Sequence, residues 1–163
     1  MTIGACLSAL KFSASQTGNP EWLAVGLTTA LKGALMTALS AYENADAEDI
    51  LDIDRQGAAS VRLLLRRASS ADYLSEEHRL PLTSSKRKAI LNLVAIRNQT
   101  LHILTPEESV DLTDVPRFAA PSLEAIRHLM ISSPAFDTGK HGVDVALIAD
   151  YLDRIEAAVL GER

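Results

Sequence analysis

One stretch of the chain constrains its fold more than any other: "PEWLAVGLTTALKGALMTALSAYEN", residues 20 to 44, which places Leu23, Leu27, Leu31, Leu35 and Leu39 at a constant spacing of four. Residues three and four apart share a helix face, so this spacing draws a single apolar stripe over about five turns. A stripe of that length must be buried against other elements, and the only lysine within it, Lys32, falls near its centre. Asn19 before Pro20 supplies an N-cap followed by proline at the first helical position. The run is apolar enough to raise the question of a membrane span. Its central lysine and the polar stretch that follows favour a buried helix.

The rest of the chain repeats the helical pattern. "AASVRLLLRRASS" turns Val61, Leu64 and Leu65 inward and its arginines outward. "VDVALIADYLDRIEAAVL" puts Val145, Ile148, Leu152, Ile155 and Val159 on one face, and "SLEAIRHLMI" is a short helix. "SKRKAILNLVAIRNQTLHIL" begins basic and becomes almost wholly apolar, as a central bundle helix would, with Thr83 or the serines before it as cap. "MTIGACLSALKFSAS" is read as a first helix, because no basic residue precedes its apolar run and Lys11 interrupts it. "ENADAEDILDID" forms a loop or a short turn of helix, and Thr105-Pro106 restarts the chain. No segment sustains a period of two. The expectation is an all-α bundle of five to seven helices in one domain spanning residues 1–163.

Composition agrees. Apolar residues make up 47% and aromatics only 4%, so the core is aliphatic. Cys6 is the only cysteine, which forbids an intramolecular disulfide and fits a reducing, cytoplasmic setting. The net charge of −5 argues against a general nucleic-acid binder, but its distribution is uneven. Residues 1–54 carry −5, residues 105–163 carry −6, and residues 55–104 carry +6. A basic island lies in an acidic protein.

Within that island, "AIRNQTLHIL" sets Arg97, Asn98 and His102 into an apolar run. The string Arg-Asn-x-x-x-His arises by chance about 0.007 times in a chain of this composition. The residue types suit phosphoryl chemistry. Histidine, with an unperturbed pKa of about 6.5, trades protons near neutrality. Arginine keeps its charge, and its planar fork matches phosphoryl oxygens. Asn98 can orient either partner. In an ideal helix residues 97 and 102 lie roughly 140° apart, so a two-fold interface or a helix break is needed to bring them together.

"RNQTLH" resembles the Arg-polar-x-x-x-His signature of the HEPN superfamily of small helical bundles, and "TALKGALMTAL", residues 29 to 39, is similar to the lysine-containing second helix of those domains. The resemblance spans residues 20 to 160, with specific matches in these two stretches. It implies a homodimeric, metal-independent endoribonuclease without a cofactor, acting as a toxin or defence effector, whose catalytic groups are Arg97, Asn98 and His102. Lys86, Arg87 and Lys88 are the candidate RNA contacts. RNA and an antitoxin or other partner protein are the partners it suggests, with no membrane. Leu104 stands where some toxin members carry a modified tyrosine, so that form of regulation is not expected, and Glu107 and Glu108 would repel phosphate if they faced the site. Two other readings stay open: a non-catalytic HEPN-like bundle that binds RNA or protein, and a helical interaction protein whose motif is a dimer contact. Asp137, His141 and Asp144 match no strong metal-site spacing, and His78 is expected at the surface.

Overall fold

The computed structural model describes residues 2–41, 45–52, 57–102 and 111–161. These form six α-helices: α1 (Thr2–Ser15), α2 (Pro20–Ala41), α3 (Val61–Ala68), α4 (Ser84–Leu101), α5 (Val115–Arg127) and α6 (Gly142–Val159). A 3₁₀ turn at Ala47–Ile50 leads into a minimal antiparallel pair, Leu51–Asp52 (β1) with Gly57–Ala58 (β2), in which Leu51 faces Ala58. The architecture is an all-α helical bundle.

The leucine stripe organises it. Leu23, Leu27, Leu31, Leu35 and Leu39 are all fully buried, and α1, α3, α4 and α5 all pack against α2. Burying each such leucine contributes roughly 1.5–3 kcal/mol. Among the described residues α2 is the one helix long and apolar enough to cross a membrane, and most of its length is buried inside the bundle. Its second face is made of small residues. Gly33 lies against the backbone of α1, where an added Cβ would stand 3.0 Å from the Cys6 nitrogen, and at Gly26 it would overlap Ser13 Oγ. The two helices approach as closely as their backbones allow. Cys6 is sealed in this contact, and burial pushes its thiol pKa up to about 12.

The central helix is therefore α2. The sequence suggested that role for α4, but α4 buries only Ile90, Leu93 and Ile96 and leaves the rest of its surface half-buried or open. A nearly continuous apolar run says nothing about how many of its faces are covered. α4 starts where expected, with Thr83 Oγ1 accepting the Lys86 N–H at 3.2 Å. It ends at Leu101 rather than continuing to Leu104.

α5 departs in the other direction. It begins at Val115, seven residues ahead of the expected "SLEAIRHLMI", and carries Pro121 inside. Proline removes one i to i−4 hydrogen bond and normally breaks a helix. Here buried Val115, Ala119 and Leu123 hold the segment through the defect. A five-residue π turn, His128–Ser132, then ends it. α6 buries Ile148, Leu152 and Ile155 against α1 and α5. Arg127 of α5 reaches it, donating to Asp153 at 2.7 Å and Glu156 at 3.1 Å. Partial burial opposes the guanidinium charge, but these two carboxylates outweigh it and hold the pKa above its usual value. The expected restart at Thr105-Pro106 lies outside the described residues, as do Leu104, Glu107 and Glu108.

Candidate functional site

The motif occupies the last turn of α4 and its cap. Arg97 is half-buried, while Asn98 and His102 are exposed. Asn98 joins the other two. Its side-chain oxygen accepts from Arg97 Nη1 at 2.8 Å, and its carbonyl accepts the His102 N–H at 2.9 Å. His102 is the C-cap, with φ −119° and ψ 67°, so the chain leaves the helical path at that residue. The departure comes after His102, whose N–H still makes the helical bond to Asn98, so the angle of roughly 140° between Arg97 and His102 stands. No break within the motif brings the two together in one protomer. Arg97 Nε is buried and has no hydrogen-bond partner among the described residues, which leaves one donor of a partly solvated guanidinium uncommitted.

Lys86, Arg87 and Lys88 do not form one patch. Successive helical residues are turned by about 100°, so three in a row fan outward. Lys86 pairs with Glu124 of α5 at 2.7 Å. That bridge offsets the unfavourable placement of a cation at a helix N-terminus. Lys86 and Lys88 both line a shallow depression with Asn92, Arg117 and Phe118. Arg87 faces the other way, into an open groove of about 780 Å³ between α3 and α4.

That groove is the feature sequence reading missed. Arg62, Leu63 and Arg66 of α3 line one side, Arg87, Leu91, Val94 and Asn98 of α4 line the other, and Asp52 of β1 adds one carboxylate. None of the three arginines makes an ion pair with a described residue. The signal was present in the sequence as two arginines four apart on one helix face within the basic island. What was lacking was the position of that face relative to α4. Asn98 therefore belongs both to the motif and to the end of a cationic groove.

The remaining candidates have local roles. Asp137 caps a 3₁₀ turn by accepting the Gly139 N–H at 3.0 Å, and His141 packs edge-on against Phe136 with ring centroids 6.1 Å apart. Among the described residues no three His, Cys, Asp or Glu side chains are grouped as metal ligands. His78 is half-buried rather than on the surface, with Nδ1 3.2 Å from the Ser133 carbonyl, because the connector before α4 folds back onto the π turn. Compared with family models, with curated sequences and with solved structures, the chain matches none.

Proposed function

We propose that the chain is a metal-independent endoribonuclease of HEPN type, active as a homodimer in the cytoplasm, in which Arg97, Asn98 and His102 of two protomers form the site. The observation that carries the reading is the double role of Asn98, whose side chain holds the Arg97 guanidinium while its carbonyl holds the His102 cap. In the reaction the ribose 2′-oxygen attacks the adjacent phosphorus and the bond to the 5′-oxygen breaks. One His102 takes the 2′-hydroxyl proton and the other protonates the leaving 5′-oxygen. Arg97 stabilises the charge growing on the phosphoryl oxygens. The products are a 2′,3′-cyclic phosphate and a 5′-hydroxyl. Such an activity suits a toxin or defence effector restrained by an antitoxin or other partner protein.

The test is cleavage of unmodified RNA by purified protein in EDTA. His102→Ala and Arg97→Ala should each lower the rate on the order of 10²-fold or more while the protein stays folded. Full activity in both variants, or loss of activity on chelation, overturns the mechanism. A second reading rests on the groove: a non-catalytic bundle that binds RNA or a protein partner through its arginines. It is favoured if RNA binds and no product appears, and His102 is then only a helix cap.

A further inference from the structure

We infer that the groove between α3 and α4 is a track for single-stranded RNA, with Arg62, Arg66 and Arg87 as its phosphate contacts. The inference takes its RNA chemistry from the reading of the motif above and adds residues and strandedness to it. Three features point this way.

The first is charge. The chain carries a net charge of −5, yet three arginines without ion-pair partners among the described residues converge on this one groove against a single carboxylate, Asp52. Guanidinium forks clustered against the sign of the whole molecule mark an anion-binding surface.

The second is direction. Arg87, Leu91, Val94 and Asn98 succeed one another on one face of α4. At 1.5 Å per residue they span about 16 Å, which makes an extended path rather than a pocket for one small anion. The path ends at Asn98, the residue that holds Arg97 and His102. A strand lying along it is delivered to the motif.

The third is the floor. Leu91 and Val94 of α4 and Leu63 of α3 are half-buried aliphatic side chains that line the groove beside the arginines. A duplex turns its phosphates outward and keeps its base faces stacked inside, so it has nothing apolar to offer such a floor. A single strand exposes base faces that lie on aliphatic side chains and stack on guanidinium planes.

The experiment is fluorescence anisotropy with the full chain and a labelled 12-nucleotide 2′-O-methyl RNA, which lacks the attacking hydroxyl and survives the measurement. The same strand annealed to its complement, and poly-L-glutamate, serve as competitors. Three phosphate contacts to a single strand give a slope of log K against log salt of about −2. Arg62→Gln with Arg66→Gln should flatten it by about 1.4 and weaken binding on the order of tenfold or more near 0.1 M salt. Val94→Gln should weaken binding without changing the slope, because it removes apolar floor and no charge. Circular dichroism melting confirms that each variant is folded.

Unchanged affinity and slope in the double arginine variant overturn the inference. So does a duplex that competes as well as the single strand. Poly-L-glutamate that competes equally well would assign the groove to an acidic polypeptide instead. The track and the cleavage reading fail separately. Groove-dependent binding without cleavage of unmodified RNA sinks the nuclease and leaves the track. Cleavage with an unchanged KM in the arginine variant sinks the track and leaves the nuclease.

Discussion

Replacing Gly33 by alanine should destabilise the bundle, although the same change in an ordinary helix interior is favourable. Alanine exceeds glycine in helix propensity by about 0.8–1.0 kcal/mol. Against that gain, the new methyl would stand 3.0 Å from the Cys6 nitrogen, 3.2 Å from its Cα and 3.3 Å from its Cβ. Non-bonded carbons prefer about 3.5–4.0 Å, so the overlap approaches half an ångström. Two of the three atoms are backbone, and no rotamer change relieves them. α1 would have to shift as a body, loosening buried Ile3, Cys6, Ala9 and Leu10. Overpacking of this kind costs about 1–3 kcal/mol, which leaves a net loss of up to about 2 kcal/mol after the propensity gain. Urea denaturation followed by circular dichroism should show a lower midpoint at unchanged m-value, with Tm lower by up to roughly 8 °C. Gly4→Ala supplies the control, since Gly4 is exposed on α1 with nothing within 4 Å of an added Cβ. It should raise stability by about 0.5–1 kcal/mol. A Gly33→Ala protein more stable than the parent by the full propensity gain of about 0.8–1.0 kcal/mol would refute the close packing of α1 on α2.

Two further outcomes follow from the ionisable groups. The Cys6 pKa is raised to about 12 from 9.0, so burial favours the neutral thiol; the stability this contributes is complete below pH 9 and is lost as pH rises from 9 towards 12. Chemical denaturation across that window should show a steeper alkaline loss in the parent than in Cys6→Ala, and equal slopes would contradict the burial. At the start of α4, the Lys86–Glu124 bridge is partly exposed, so a double-mutant cycle should give a coupling below about 1 kcal/mol. Because Lys86 does not line the groove and the exchange keeps the pair's net charge, Lys86→Glu with Glu124→Lys should leave RNA affinity within about twofold by anisotropy, and a tenfold loss would return Lys86 to the RNA path.

What the sequence made legible was whatever depends on periodicity. The stripe from Leu23 to Leu39 fixes α2 because burial repeats with the helix turn, and Val61, Leu64 and Leu65 are buried on α3 for the same reason. Pro121 hid the first half of α5, since a single proline outweighs local propensity until tertiary packing is known. The candidate site was legible as residue types and spacing, but not as geometry. Arg97, Asn98 and His102 are close in the chain, yet the cap that ends α4 at Leu101 is backbone conformation that spacing does not encode. Arg62 and Arg66 meet Arg87 only across two helices, and Lys86 finds Glu124 38 residues away. Such pairings exist only once the bundle has assembled.

The packing of α2 also sets a problem in time. A ribosome releases the chain from its N-terminal end, so α2 emerges with the hydropathy of a membrane span well before α3, α4 and α5 exist to cover it. Synthesis proceeds at about 5–20 residues per second, and α5 ends at Arg127 while α2 ends at Ala41. The helix therefore waits roughly 4 to 17 s for its last large partner. When that interval begins, α1 is already made, joined to α2 by a turn of four residues and seated against its glycine face, while α3 and α4 follow only later. The first helix thereby shields the most insoluble part of the nascent chain until the rest of the bundle closes over it.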